Sequence, residues 1–258
     1  MCLILIALQS HPDYPLVVAA NRDEYFGRPT RPAAFWPEAP QMLAGQDLNA
    51  GGSWLGITRQ GRFAALTNVR DGRRPELPDA VSRGHLVTDF LTGRQPPRDY
   101  LKQLDGARYN GFNLICGNAE QLLYGSNRQA GISPLSPGIH GVSNGALNTP
   151  WPKLRSGKQA LGEFLSGNPA FASEDLLPLL NHRQRAPDHQ LPDTGVDLDW
   201  ERTLSSRFIE GPAYHYGTRS SSVLLMGHNG QIQFTEWLWD EYGELAGRRD
   251  FEFTRERD

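Results

Sequence analysis

Two short apolar runs joined by a turn open the chain and constrain its fold more than any other feature. The runs are residues 3–8 and 16–20, and His11-Pro12-Asp13-Tyr14-Pro15 lies between them. Short runs without polar residues are typical of strands that are covered on both faces. They therefore predict a β-hairpin in the middle of a sheet.

The remaining pattern places strands at both ends of the chain and helices in the middle. Further strands are predicted over 54–58, 63–67, 111–116, 121–124, 221–226 and 231–237, and helices over 85–91, 100–104, 152–165 and 173–180. The Pro-rich stretch 28–40, the Gly-rich stretch 45–53 and the polar stretch 183–199 are expected to be loops. The sequence His228-Asn229-Gly230 predicts a hairpin with a type I′ turn. This order favours a layered α+β domain over a doubly wound parallel sheet.

Composition limits the classes of protein to consider. A chain of 258 residues can bury a full core, and we expect one domain over residues 1–258. The net charge of −3 gives no general attraction to nucleic acid, and the basic runs 70–74 and 248–249 are expected on solvated loops. Two cysteines cannot build a disulfide framework, and no apolar run is long enough to span a bilayer. We expect a cytoplasmic protein.

Cys2 is the first candidate functional residue. Removal of Met1 would leave it at the N-terminus, with its thiol and a free α-amine on one residue. The two groups have ordinary pKa values of about 8.5 and about 8, so a proton can pass between them at neutral pH. This pairing supplies a nucleophile and a base without a histidine. The alternative is a small buried residue at the start of a strand.

Polar groups at strand ends form a second set of candidates. Asn21-Arg22-Asp23-Glu24 follows the second apolar run, and Asp23 or Glu24 could hold an amine by a charge-assisted hydrogen bond. Alternatively, these charges pair with one another at an ordinary strand end. Asn68 ends another strand, and Asn144 stands before a glycine. An Asn amide can donate into an oxyanion hole, although Asn next to Gly is also a common turn residue.

Arg207 and Arg219 lie in the strand-rich C-terminal part. Arginines in such sequence usually face solvent or pair with a carboxylate. The three hydroxyls after Arg219 would also suit an anion, although no Gly-rich phosphate loop accompanies them. The seven histidines are dispersed without an HExxH motif, so no metal site is predicted, and the absence of GxSxG argues against a serine hydrolase.

Several segments together resemble the NRDE family, which is named for the tetrad at 21–24. They are Met1-Cys2 and residues 21–24, 51–56, 66–68, 142–144, 149–153 and 216–221. The resemblance covers nearly the whole chain in order. It implies links to haem trafficking and to lipid or acyl-CoA metabolism.

The family in turn resembles the N-terminal-nucleophile hydrolases of the cholylglycine hydrolase and penicillin V acylase type. This implies an αββα sandwich in which Cys2 is the nucleophile and Asp23 holds its amine. It also makes Asn68 and Asn144 the oxyanion donors and Arg207 an active-site arginine. Those hydrolases carry Arg-Asn-x-Asp on the second strand, which leaves Ala20 here at the arginine position. Arg22 could supply the charge instead, but we expect its side chain to point to the opposite sheet face, which argues against stabilisation of a thiolate by arginine and against hydrolase activity.

The sequence leaves three functions open. The first is handling of a hydrophobic ligand in an apolar cleft beside Cys2, with haem as the first candidate. Any haem would be bound non-covalently, because no CxxCH motif is present. The second is hydrolysis of an acyl amide or related acyl bond, which needs no cofactor, and the third is binding of a lipid or acyl-CoA.

Overall fold

The computed structural model describes residues 2–256, and this part of the chain forms fourteen strands and five α-helices. The strands are β1 (Cys2–Leu8), β2 (Leu16–Tyr25), β3 (Thr30–Trp36), β4 (Ala39–Asp47), β5 (Leu55–Thr58), β6 (Phe63–Asn68), β7 (Phe112–Gly117), β8 (Leu122–Ser126), β9 (Ile132–Pro134), β10 (Gly138–Val142), β11 (Glu210–Gly211), β12 (Tyr216–Met226), β13 (Gln231–Trp239) and β14 (Leu245–Thr254). The helices are α1 (His85–Thr92), α2 (Pro97–Gln103), α3 (Pro152–Gly167), α4 (Leu177–Leu180) and α5 (Leu198–Thr203).

The strands form two antiparallel sheets. The first has the order β10-β1-β2-β12-β13-β14, with β11 beside β12, and the second runs β3-β4-β5-β6-β7-β8-β9. The N-terminal hairpin therefore lies inside its sheet, with β10 on one side and β12 on the other. This is the position that its continuous apolar sequence predicts.

Three apolar clusters divide the molecule into four layers. The inner faces of the two sheets enclose one cluster, which includes Ile4, Val18 and Phe63. The outer face of the first sheet packs against α3 and α4, and the outer face of the second packs against α1 and α2. The order of layers is helix, sheet, sheet, helix, as expected for an αββα sandwich.

The structure corrects several expectations about single elements. The stretch 28–40, expected to be a loop, contains β3 and the beginning of β4, and β9, β10 and β14 were not predicted. The tetrad at 21–24 continues β2 rather than following it. Arg248 and Arg249 lie in strand β14 rather than in a loop. Arg70 is buried, and its Nη2 lies 2.7 Å from Glu201 Oε2.

The predicted C-terminal hairpin is present, but its turn is of another type. The amide of Gly230 donates to Gly227 O, and the amide of Gly227 donates to Gln231 O. Gly230 has a φ of 82°, whereas Asn229 is not among the residues with positive φ. A type I′ turn requires positive φ at both central residues, so the connection is a three-residue loop that ends in a left-handed glycine.

Two loops that follow strands of the second sheet meet in close contact. The amide of Ser53 donates to Gly84 O at 3.2 Å, and His85 Nε2 lies 2.7 Å from Ala50 O. A Cβ atom on Gly52 would lie 2.4 Å from the carbonyl carbon of Gly84. Glycine at position 52 is therefore what allows the 47–53 loop to rest on the 82–85 segment.

Every helix in the described part of the chain is too short or too polar to cross a lipid bilayer.

The Gly52→Ala substitution tests this loop contact. The added methyl group meets backbone that cannot rotate away, so we expect a loss of about 1–3 kcal/mol in the free energy of unfolding. Urea denaturation measures the loss. Gly27→Ala is the matched control, because no atom lies within 4 Å of its added methyl group. Equal stability of the two variants would contradict the proposed constraint.

Candidate functional site

The register of β1 on β2 decides which side chains face the space between the sheets. Cys2 pairs with Arg22, and Leu3 pairs with Asn21. Because side chains alternate along a strand, Cys2 and Arg22 share the inner face with Ile4 and Ala20. The expectation that Arg22 points away from the face of position 20 is wrong, since residues two apart on a strand point the same way.

A cleft of about 280 Å³ opens at this end of the sandwich, and Cys2 lies in its wall. Arg22 and Glu24 of β2 form part of the cleft, and Trp54 and Asn68 line it from the second sheet. The 80–84 segment completes the rim. The cleft differs from the apolar one expected from the sequence, because charged side chains form much of its lining.

Three arginines line the cleft. Arg28 forms two hydrogen bonds to the Asp47 carboxylate, of 3.1 and 2.6 Å, and these bonds raise the pKa of Arg28. The Arg22 guanidinium lies 4.3 Å above the Trp54 ring and only 3.8 Å from Glu24 Oε2. Its buried Nη1 has no hydrogen-bond partner within residues 2–256.

Arg83 supplies the third positive charge, from the rim of the cleft. Its Nη1 donates to the backbone oxygen of Gly111 at 3.1 Å, and burial lowers the pKa of its guanidinium. No carboxylate in the described chain lies within ion-pair distance of it. The lining thus holds three arginines, Arg22, Arg28 and Arg83, and three acidic residues, which are Asp23, Glu24 and Asp47.

Cys2 as a whole residue is partly exposed and lines the cleft, but the surroundings of its thiol favour the protonated form. Burial raises the pKa of the thiol and the Asp23 carboxylate raises it further, whereas Arg22 lowers it. The backbone oxygen of Cys2 accepts a hydrogen bond from Ser143 Oγ at 3.1 Å. This bond ties β1 to the segment that follows β10.

Asp23 is buried and is also part of the cleft lining, but its side chain points to the opposite face of the sheet from Cys2. Its Oδ1 accepts a hydrogen bond from Thr218 Oγ1 at 2.7 Å, and its Oδ2 lies 4.0 Å from Lys153 Nζ. Burial raises the pKa of the Asp23 carboxyl group, whereas Lys153 lowers it. The predicted partner of Asp23, a free α-amine on Cys2, depends on Met1, which lies outside the described residues.

Asn68 and Asn144 are neighbours, but only Asn68 lines the cleft. The side chain of Asn144 is fully buried, and its Nδ2 donates to the backbone oxygen of Asn68 at 2.9 Å. Its Oδ1 accepts from Ser143 Oγ at 3.2 Å. Asn144 therefore links the segment after β10 to the end of β6. An oxyanion role for Asn68 or Asn144 stays a prediction.

Arg207 lies on the outer face of the first sheet rather than in the cleft lining. A Cβ atom on Gly157 of α3 would lie 3.4 Å from Arg207 Cδ and 3.0 Å from a methyl group of Leu5. Arg207 is not among the residues that line the described cleft, so this contact does not support its predicted active-site role.

Asn21 and Arg219 have structural partners. Asn21 Nδ2 donates to the backbone oxygens of Leu180 and Arg207, at 2.9 and 2.8 Å. Arg219 Nη1 donates to the backbone oxygens of Tyr25 and Arg28. These bonds hold the end of β2 and the turn after it, which carry the cleft residues.

Lys153 is the residue near the site that sequence reasoning did not select. Its side chain is 2% exposed, and burial lowers its pKa to about 8. One signal was available in the sequence, since Lys153 follows Pro152 in the first turn of a predicted helix. The helix dipole disfavours a cation there. Within residues 2–256 no group of His, Cys, Asp and Glu side chains could hold a metal ion.

The two cysteines provide a test of the cleft. We expect iodoacetamide to alkylate Cys2 at least about tenfold faster than Cys116, because reaction requires an exposed thiolate. Cys116 is fully buried, and burial raises its pKa to about 12. Timed labelling followed by peptide mapping gives both rates. Equal rates, or faster labelling of Cys116, would argue against a reactive Cys2.

Comparison with solved structures identifies the fold. The mutant C2A conjugated bile acid hydrolase from Clostridium perfringens aligns over 100% of this chain and 94% of its own, with a TM-score of 0.53 and 8% identity. A Caenorhabditis elegans N-acylethanolamine-hydrolyzing acid amidase ortholog aligns over 87% and 92%, with a TM-score of 0.50 and 11% identity. The fold is that of the N-terminal-nucleophile hydrolases, as the sequence resemblance implied.

Comparison of sequences identifies the family. Residues 1–241 match the family described as Transport and Golgi organisation 2. The Transport and Golgi organization protein 2 homolog of Homo sapiens is 35% identical over 278 residues, covering 98% of this chain and 99% of its own length. The Drosophila melanogaster protein of that name is 31% identical, with 92% and 91% covered. The predicted NRDE-family resemblance is confirmed, and the chain belongs to the Transport and Golgi organisation 2 family.

Proposed function

We propose that the cleft beside Cys2 binds a ligand that carries an anionic group and an apolar part, and that it does so without turnover. Haem, with its carboxylates, is the first candidate ligand, and an acyl-CoA or another anionic lipid is the next. The observation that carries the proposal is the buried Nη1 of Arg22, a guanidinium nitrogen in a cleft-lining residue that has no hydrogen-bond partner within residues 2–256.

The state of Arg22 is the strongest part of this argument. A buried guanidinium nitrogen without an acceptor carries an uncompensated desolvation cost. Nη1 of Arg22 is in this state, and the only ion pair of the side chain within residues 2–256 is with Glu24, at 3.8 Å. A small shift of Arg22 toward the cleft would let a carboxylate or phosphate oxygen accept from it. Such charge-assisted bonds are stronger than neutral ones.

The remaining walls suit the apolar part of such a ligand. Trp54, Leu66 and Val81 line the cleft together with the arginines. A largely apolar pocket with a few well-placed polar groups is the usual form of a small-molecule site. No histidine lines the described cleft, so we expect haem affinity to come from the arginines and the apolar walls rather than from a histidine bound to iron.

Ligand titration of arginine variants tests the binding proposal. We expect Arg22→Gln and Arg83→Gln each to weaken haem or acyl-CoA binding by roughly 10-fold or more, since a hydrogen bond to a charged group contributes about 1.5–3 kcal/mol. Absorbance titration with haem and calorimetry with an acyl-CoA measure the affinities. Arg98→Gln is the control, because Arg98 is exposed on α2, away from the cleft.

Two outcomes would overturn the proposal. One is the absence of saturable binding of either ligand by the unmodified protein. The other is equal affinity in the three arginine variants. Cys2→Ala should keep most of the affinity, because Cys2 is not one of the groups that would neutralise the anion.

Hydrolysis of an acyl amide by Cys2 is the second candidate function. The observation that favours it is the position of Cys2, at the end of β1 and in the cleft wall opposite Asn68. The structurally similar proteins are named as a bile acid hydrolase and an N-acylethanolamine-hydrolyzing amidase, and one of them is described as the C2A mutant. We extend that chemistry to this chain only as a proposal.

An assay of simple acyl amides separates the two functions. We expect weak or no hydrolysis, because Ala20 replaces the arginine of the hydrolase motif and the thiol pKa is raised. Product formation is followed by mass spectrometry with the unmodified protein and with Cys2→Ala. Robust turnover that Cys2→Ala abolishes would overturn binding without turnover and establish the hydrolase.

A further inference from the structure

A small void lies behind the cleft, in the space between the two sheets. Its volume is about 10 Å³, close to the smallest space that holds one water molecule. Cys2, Arg22 and Trp54 line the void as well as the cleft, so these residues form a partition between the two spaces. The void therefore continues the cleft inward, toward the apolar cluster that the sheets enclose.

The inner walls of the void are mostly aliphatic. Ile4, Ala20 and Leu55 line it, and all three belong to the apolar cluster between the sheets. Ser222 of β12, which pairs with Ala20, adds one hydroxyl group. Such walls suit an apolar group better than a water molecule, because a buried water needs several polar partners. Ala20 has the smallest side chain of the four, so a larger residue at this position would occupy the space.

The Arg22 guanidinium is the part of the partition that can turn away. A Cβ atom on Gly45 would overlap the Trp54 ring, so this ring packs directly against the backbone of β4. The guanidinium lies 4.3 Å from the ring centre, and its Nη1 has no hydrogen-bond partner within residues 2–256. No hydrogen bond of Nη1 therefore breaks when Arg22 turns toward an anion in the cleft. Such a turn joins the void to the cleft.

We propose that the apolar part of the ligand is a single unbranched alkyl chain whose end enters this void, and that Ala20 limits how deep the chain reaches. The inference rests on the proposed function and narrows the class of ligand. An alkyl chain is one methylene group wide and fits between side chains of two packed sheets. A macrocycle such as haem would have to displace several close-packed core side chains, so its ring would stay in the outer cleft.

Arg22 couples the binding of the head group to the entry of the chain. An anionic head accepts charge-assisted hydrogen bonds from the guanidinium in the cleft, and the space that the guanidinium leaves admits the chain. Each methylene group that enters leaves water and gains dispersion contacts with the aliphatic walls. An uncharged alcohol leaves the guanidinium in the partition, so the void stays closed to its chain.

Calorimetric titration of the full-length protein with ligands of increasing chain length tests the proposal. The ligands are saturated fatty acids and alkyl phosphates of matched lengths, which separate a carboxylate head from a phosphate head. We expect the affinity to rise about fourfold per methylene group and to level off at the same length in both series. Alcohols of the same lengths should bind much more weakly. Affinity that is independent of chain length, or equal binding of the alcohols, would overturn the inference.

The Ala20→Val substitution tests the limit on depth. Valine adds two carbon atoms, so the affinity should level off about two methylene groups earlier, and the longest chains should bind about tenfold more weakly. The shortest chains should bind as before. Ala19→Val is the matched control, because Ala19 lies in the apolar cluster on the outer face of the same sheet. Ser222→Val fills the void from β12 and should act like Ala20→Val.

Thermal unfolding shows which variants are folded, and Ser222→Val decides the question if Ala20→Val is not. Unchanged dependence on chain length in a folded variant of either residue would overturn the inference.

The Arg22→Gln substitution separates this inference from the proposed function. It should weaken the binding of all chain lengths, because it removes the group that meets the head. If it does so while Ala20→Val changes nothing, the inference is wrong and the proposed anion site stands. Saturable binding of haem, but of no alkyl anion, would lead to the same conclusion. Absence of saturable binding for both classes of ligand would overturn the inference and the proposed function together.

Discussion

The pairing of Cys2 with Arg22 across β1 and β2 is the constraint on which the site depends. Since side chains alternate along a strand, this register sends Cys2 and Arg22 into the space between the sheets, and it turns Asn21 toward α4 and Asp23 toward α3. A slip of one residue would exchange the two sets and expose the apolar ones. The side chains of the tetrad at 21–24 thus point alternately to the two faces of the first sheet. The inner face carries the cleft beside Cys2, and the outer face carries the buried pair of Asp23 and Lys153.

The sequence predicted the layers better than the edges of the sheets. Continuous apolar runs identify the interior strands, because such strands are buried on both faces. An apolar stripe identifies α3, because only one side of this helix packs against the sheet. Edge strands carry weaker signals. Strand β3 contains Pro32, which is tolerated at an edge since no neighbour needs its missing amide, and β14 alternates charged residues with Phe251 and Phe253. Both patterns are typical of loops when the sequence is considered alone.

Individual candidate residues were predictable only where local sequence fixes their position. Cys2 and Asn68 lie at strand ends and line the cleft, as expected. The sequence placed Arg207 beside Cys2 and did not select Lys153, because the positions of both side chains depend on how α3 packs on the first sheet. Two carboxylates that interact with the charge of Lys153, those of Asp23 and Glu201, are 130 and 48 residues away in the chain. The charged rim formed by Arg83 depends in the same way on the contact between Gly52 and Gly84.

A crystal structure of the protein with haem or a long-chain acyl-CoA bound tests the central claim, an anion-binding cleft beside Cys2, most directly. The account predicts carboxylate or phosphate oxygens within hydrogen-bond distance of Arg22 or Arg83, with the apolar part of the ligand against Trp54 and Leu66. Ligand density elsewhere on the molecule, with the cleft empty at saturating concentration, would contradict it.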